Sequence, residues 1–284
     1  MEYTITLPTS QKEMTIRQLL EKEWLVPRKV RHFLRIRKNV RKNGEPVMFH
    51  ELCCAGDRIT LVIEPEDYTY QEVALGNAKK VVVLYEDDHL LVANKSAGIK
   101  THPNQPTEKD TLLNDVAAYL APKGQRPYVV HRLDKETSGV ILFAKNPLVL
   151  PILGRLLEQK HIYRQYQAIV SGNLNHATTI NKKIGRDRHD RRKRIIDEKN
   201  GQTAITHVTV FQAGKHSQIY CQLETGRTHQ IRVHLKSIGH PIVGDPLYGK
   251  EQASRLMLHA LKMHLEHPFT KEKLVITASP GLWA

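Results

Sequence analysis

Only three cysteines, Cys53, Cys54 and Cys221, occur in the 284-residue chain. Adjacent cysteines rarely bridge, so no disulfide framework is expected, and no Cys-x-x-Cys pair offers a metal-ligand spacing. The three thiols read as buried or incidental. Sixteen histidines are present, yet none falls in a His-Glu-x-x-His pattern, so a zinc hydrolase fails on ligand spacing. A Gly-x-x-x-x-Gly-Lys phosphate loop is missing, which argues against nucleotide-driven chemistry. No apolar run approaches the roughly 18 residues that span a bilayer. The first residues, Met1 to Thr6, lack the basic flank and apolar core of a secretory leader. A cytoplasmic location and no membrane partner are therefore expected.

Acidic residues are also in short supply, 29 against 43 Lys and Arg, for a net charge of +14. A polyanion meeting such a surface releases counterions, which favours binding. Dispersed, this charge would be an ordinary solvated surface; clustered, it points to nucleic acid. It clusters twice. Arg28, Arg31, Arg35 and Lys38 recur at helical spacing, and residues 182–194 hold the densest basic run, including Arg191, Arg192 and Arg194. Charge runs are often solvated loops; here phosphate contacts are expected, with the second run ordering on binding.

The length suits a large domain plus a small one. Residues 1–64 read as the small unit. Ile16, Leu19 and Leu20 share one helical face. Pro27 suits the first turn of a second helix, on which Val30, Phe33 and Leu34 share a face. Asn43-Gly44 and Gly56-Asp57 are turn signals, and a strand follows. Residues 65–80 are polar and read as a linker, and residues 81–284 form the larger unit. Its strands are expected near 81–85, 89–94, 140–144, 163–170, 204–211, 217–224 and 257–266. Its helices are expected from Asp110 or Thr111 to Leu120, over 148–159, and around Ile231 to Ile238 before Gly239 and Pro241. Strands outnumber helices and many neighbours are joined by short turns. An α+β domain on a largely antiparallel mixed sheet is predicted, beside a small α+β unit.

Asp134 is the residue around which chemistry can be argued. It lies in a polar turn after the apolar Tyr128-Val129-Val130, with His131, Arg132 and Lys135 as neighbours. Cations keep a carboxylate ionised, and an ionised carboxylate can be a nucleophile, a base or a charge stabiliser. Alone, a salt-bridged structural turn is the better reading. The outline of a kinase His-Arg-Asp loop fails, since a leucine intervenes and no Asp-Phe-Gly follows.

The nine residues His131-Arg132-Leu133-Asp134-Lys135-Glu136-Thr137-Ser138-Gly139 resemble the signature of the RluA/RluD family of pseudouridine synthases. Four further stretches resemble that family in order: Tyr85 to Lys95 with Ala97-Gly98 and His102-Pro103; Tyr163 to Ala168; Leu223 to Leu235; and Gly239 to Gly249 with Leu258-His259-Ala260. The amino-terminal unit resembles an S4 RNA-binding domain. Ser96 stands where the family has proline and Arg164 where it has lysine. The resemblance implies a pseudouridine synthase fold and a cofactor-free isomerisation of uridine in RNA. The bond from uracil N1 to ribose C1′ breaks, the base turns over, and C5 bonds to C1′. It implies Asp134 as the central carboxylate, which attacks the sugar or the base or takes a proton from C2′. Arg227 is expected to pair with Asp134, with Arg232 in reserve. Tyr166 is expected to stack on the base with its hydroxyl near C5. His131 or Arg132 is expected to fill the vacated stack or hold a phosphate. Large-subunit ribosomal RNA is the expected substrate, and a monomer the expected state. Transfer RNA, or a non-catalytic RNA-binding or ribosome-assembly role for the same fold, are the alternatives.

Overall fold

The computed structural model describes residues 1–64 and 70–281. The amino-terminal unit opens with β1 (Glu2–Thr6). Thr15 then starts a helical turn through a reciprocal capping box with Gln18. That turn widens into π geometry over Leu19–Glu23, and Ile16, Leu19 and Leu20 are all fully buried. Helix α1 (Arg28–Ile36) begins directly after Pro27. Its core face is Val30 and Leu34. Phe33 departs from the expected face. It lies under the Arg37 guanidinium, 4.9 Å from the ring centre, with the Lys29 ammonium at 5.8 Å, an arrangement that shields a half-buried ring with charge. Strands β2 (Val40–Lys42) and β3 (Glu45–Pro46) meet at Asn43-Gly44, whose φ angles of 55° and 95° give the doubly left-handed hairpin turn that Asn-Gly favours. With β4 (Arg58–Val62) they form a sheet in the order β1-β4-β2-β3.

The larger unit is built on one ten-stranded sheet. Its strands are β5 (Val83–Glu86), β6 (Leu90–Lys95), β7 (Ser138–Ala144), β8 (Tyr163–Ser171), β9 (Thr178–Asn181), β10 (Ile205–Gln212), β11 (His216–Leu223), β12 (Leu258–Glu266) and β13 (Lys273–Thr277), with Tyr128–Val129 pairing on β7. The order is β9-β10-β11-β8-β12-β7-β6-β5, with β13 added on β12. The β7–β12 pair is parallel and the other pairs are antiparallel.

The central strands are apolar without alternation because both faces are covered. Leu90, Val92, Val140, Leu142 and Ala144 enter one core with helix α3 (Val149–Glu158); Leu91, Ala93, Ile141 and Phe143 enter a second core with α2 (Leu112–Leu120) and α4 (Gln230–Ser237). The amino-terminal unit shares the first core. Trp24 packs edge-on against Phe269 at 5.1 Å, and Arg155 Nη1 donates to the Leu25 carbonyl at 2.9 Å. Part of the expected linker is also packed. Gly76 N–H donates to the Asn114 carbonyl at 2.9 Å, and Asn77 N–H donates to Asp115 Oδ1 at 2.7 Å. The rest of it, residues 65–69, lies outside the described residues.

The parallel junction is the tightest point of the sheet. Gly139 of β7 faces Ala260 of β12, and Ala260 also faces Tyr166 of β8. Gly139 has φ 114°, and a Cβ there would collide with the Ala260 carbonyl, so only glycine fits. Gly139→Ala is expected to lower unfolding stability by roughly 2–5 kcal/mol, the sum of backbone strain and overpacking. Gly154→Ala, in α3 with open space around it, should instead gain up to about 1 kcal/mol. Urea titration of both variants reads the contrast, and equal effects would contradict the close approach.

Candidate active site

Asp134 is carried by the loop entering β7, and the loop is pinned from beneath. Leu133 N–H donates to Thr101 Oγ1 at 3.1 Å, and that hydroxyl donates to the Leu133 carbonyl at 2.9 Å. Thr137 N–H closes the turn on the Asp134 carbonyl at 3.1 Å. Lys95, with 0% exposure, donates to the carbonyls of Ser96 (2.9 Å), Ile99 (2.7 Å) and Lys135 (3.1 Å). An ammonium buried without a carboxylate is costly unless all its donors are used. Here three carbonyls use them, and the strand end is tied to the residue after Asp134. The three bonds also hold the turn at Ser96, where the rigidity of a proline is absent.

The carboxylate of Asp134 has two distinct oxygens. Oδ2 receives Arg232 Nη1 at 3.3 Å and lies 3.9 Å from His229 Nε2. Oδ1 has no hydrogen-bond partner among the described residues. Arg232, with 2% exposure, is held by Asp245 through a fork, Nε to Oδ2 and Nη2 to Oδ1, both 2.8 Å. Burial acts to raise Asp245, but the Arg232 fork and the backbone N–H groups of Leu247 and Tyr248 outweigh it and hold the carboxyl below its usual range. The guanidinium plane is thus fixed before substrate arrives, leaving Nη1 for Asp134. Tyr248 completes the wall. Its hydroxyl accepts Arg194 N–H at 2.7 Å and meets His229 Nδ1 at 2.8 Å.

Above this pair opens a cavity of about 550 Å³, lined among others by Asp134, Tyr166, Arg164, His229 and Arg232. The volume suits one nucleoside. Tyr166 is buried, and a register shift between Gln165 and Tyr166 along β12 turns it toward the cavity. Burial, aided by the Asp134 charge and opposed by Arg164, raises its phenol, so Tyr166 presents a neutral O–H and a ring face. Arg164, two residues earlier on the same strand face, reaches beside Gly226. No ion pair occupies it among the described residues.

Three expectations need correction. Arg232, rather than Arg227, pairs with Asp134. The Gln230 side chain binds Arg227 N–H and the Thr225 hydroxyl, pulling the preceding loop against α4. Arg227 is left exposed, its Nε donating to the Thr203 carbonyl at 3.0 Å. His131 is not a phosphate cation. Its Nε2 accepts the Leu142 N–H at 3.2 Å, and burial, reinforced by Arg164, lowers its pKa to about 3. The basic segment is paired as well: Ile184–Arg186 and Arg194–Ile196 form a hairpin, so pairing there does not wait for a ligand. Within it Arg192 is bound to Asp190 at 2.9 Å, Arg191 is exposed, and the backbone of Arg194 reaches the site wall. Arg132 is exposed on the cavity rim. Arg28, Arg31, Arg35 and Lys38 lie on the amino-terminal unit, with Arg31 paired to Glu21 at 2.6 Å. His229, Asp245 and Tyr248 escaped assignment although each stood in a quoted stretch. Among the described residues no group of three or more His, Cys, Asp or Glu side chains converges on a metal position.

Comparison with known proteins bears on this geometry. The profile described as RNA pseudouridylate synthase matches residues 89–237, and that of the RluD ribosomal pseudouridine synthase N-terminal domain matches residues 3–59. The chain is 41% identical over 250 residues to an uncharacterized RNA pseudouridine synthase, YhcT, of Bacillus subtilis (strain 168), covering 85% of this chain and 81% of that protein. It is 36% identical over 253 residues to the ribosomal large subunit pseudouridine synthase D of Neisseria meningitidis serogroup B, covering 83% and 67%. The solved structure of human RNA pseudouridylate synthase domain containing 1 superposes with a TM-score of 0.60 at 28% identity, covering 73% of this chain and 86% of that one.

The Lys95 anchor yields a pH dependence. Burial pulls this lysine from 10.5 down to about 7, against the raising effect of Asp134 and Glu136. Between those values the unfolded chain holds a proton that the folded chain lacks. The contribution to stability is therefore full above the unfolded value and lost as pH falls through about 7. From pH 7 to 9 the stability of the wild type should climb relative to Lys95→Met by about 1 kcal/mol per pH unit. Parallel urea-derived stabilities across that range would show that Lys95 is not the titrating anchor.

Proposed function

The chain belongs to the RNA pseudouridylate synthase family, an isomerase of uridine in RNA, and from that premise we propose that Asp134 Oδ1 is the reacting atom and large-subunit ribosomal RNA the substrate. The observation that carries the first part is the asymmetry of Asp134, with one oxygen held by Arg232 and the other open to a nucleoside-sized cavity. A carboxylate with one free oxygen can attack the sugar or the base or accept the C2′ proton, and all three routes need the Arg232 contact to hold it in place. The uridine must leave its stack to reach the cavity. Tyr166 then offers its ring to the base and its hydroxyl near C5, whose proton departs when C5 bonds to C1′. Arg132, exposed at the rim, suits the space the base vacates. Support for the ribosomal substrate comes from relatives named as large subunit synthases and from the matched amino-terminal domain.

Asp134→Asn is expected to keep RNA affinity within a few-fold and to lower the single-turnover rate by roughly 10²–10⁴-fold or more. Chemical mapping of pseudouridine in ribosomal and transfer RNA, from cells with and without the gene, reads the substrate. A site lost only from transfer RNA would overturn the ribosomal assignment, and undiminished modification by Asp134→Asn would overturn the catalytic one.

A further inference from the structure

The cations around the active-site cavity are unequally free. Arg232 already faces two carboxylates, Asp245 and Asp134. Lys160 is paired to Glu224 at 2.6 Å. Burial lowers both histidines of the wall, His131 and His229, so neither adds a charge. Arg132 and Arg227 are exposed at the rim. Arg164 is different. It lines the cavity, is half-buried, and its side chain makes no hydrogen bond or ion pair among the described residues. Its Nε is closed off from water and has no partner there. A cation taken partly out of water carries a desolvation cost that a bound acceptor offsets.

Strand geometry sets what that acceptor can be. Arg164 and Tyr166 lie two residues apart on β8, so they point to one face with backbones about 6.6 Å apart. The Arg164 charge is felt at the Tyr166 phenol and at His131. A base stacked on Tyr166 is therefore within reach of the Arg164 side chain. When a base is flipped inward the nucleotide backbone stays at the mouth, where Arg132 and Arg227 are. The reaction also creates an anion at this place. When N1–C1′ breaks, the bonding pair stays with N1, and the uracil ring carries a negative charge spread over N1, O2 and O4. C1′ gains either a bond to Asp134 Oδ1 or a double bond to C2′ as the C2′ proton moves to Oδ1. Addition of Oδ1 to the ring instead puts the same charge on O4. When C5 bonds to C1′ the ring is neutral again. The carboxylate then departs, or returns its proton to C2′, and C5 loses its proton while N1 gains one. The negative ring exists only between these events.

We infer that Arg164 is a further catalytic residue, a cation that holds the uracil ring by its carbonyl oxygens while the ring is detached from C1′ and negatively charged. The inference rests on the proposed reaction at Asp134. An interaction that strengthens only after the bond begins to break raises the rate without raising affinity for RNA. The charge spread over the ring asks for a nearby cation more than for a planar fork, so lysine at this position serves the same end.

The test uses the full chain and transcribed large-subunit ribosomal RNA carrying uridine or 5-fluorouridine. Fluorine at C5 withdraws electrons and so stabilises the ring anion by itself. Arg164→Gln removes the cation and Arg164→Lys keeps it. Single-turnover rates at saturating enzyme are read as loss of the N1-linked nucleotide, and RNA affinity is measured against salt concentration. Arg164→Gln should lose about 10²-fold or more on uridine, but less than about tenfold on the fluorinated RNA relative to the wild type on that RNA. Arg164→Lys should stay within about tenfold of the wild type on both, and all three proteins should bind within about threefold of one another. Equal rate losses on the two RNAs give Arg164 a merely structural part and overturn the inference, as does an unimpaired Arg164→Gln. An unchanged saturating rate with weaker binding and a salt slope lower by about one makes it a phosphate contact instead and also overturns it. Undiminished conversion by Asp134→Asn, run alongside, refutes the role of the carboxylate separately. A wild type that converts no uridine in ribosomal RNA refutes the substrate assignment alone, and the same ratios are then read on the RNA it does convert.

Discussion

The fork between Arg232 and Asp245 is the contact on which the site depends. Both groups are almost fully excluded from water, with 2% exposure each. Breaking such a pair from one side leaves a buried charge unmatched, at a cost of about 3–5 kcal/mol. The fork therefore does not open as substrate enters, and Arg232 Nη1 stays directed at Asp134 Oδ2. The remaining carboxylate oxygen, Oδ1, is left without a hydrogen-bond partner among the described residues. Tyr248 ties the same element to the rest of the wall, because its backbone N–H binds Asp245 while its hydroxyl meets His229 and the backbone of Arg194.

A second constraint acts from below. Lys95 and Thr101 hold the backbone on either side of Asp134, and Gly139 lets β7 press against β12 where Tyr166 also pairs. The loop, the tyrosine strand and the arginine helix are thereby referred to one point in the sheet. Such preorganisation matters more than any single charge, since a catalytic group misplaced by about 1 Å can lose about 10²-fold in rate.

Much of this was legible in the sequence. Turn residues and apolar spacing located most elements, because Asn43-Gly44, Thr111, Pro27 and Gly239 act locally. Asp134 and Tyr166 were singled out because they sit within long ordered stretches, and both line the cavity. What failed was set by tertiary geometry. Arg227 and Arg232 lie five residues apart, and only the folding of Gln230 back onto the preceding loop decides which faces inward. His131 looked like an available cation, but its ring is spent on the Leu142 N–H inside the sheet. Phe33 looked like core until flanking cations covered it. Residues around Gly76 looked like a linker because their polarity concealed bonds to the buried Asn114 and Asp115.

The central claim is that Arg232, fixed by Asp245, holds Asp134 for reaction. Lysine at each arginine keeps the charge but loses the planar fork, so Arg232→Lys and Arg227→Lys isolate geometry from charge. Single-turnover pseudouridine formation at saturating enzyme, with folding checked by thermal unfolding, compares them directly. The account predicts a loss of about 10²-fold or more for Arg232→Lys and a rate within a few-fold of wild type for Arg227→Lys. A crippled Arg227→Lys beside a near-normal, folded Arg232→Lys would contradict it.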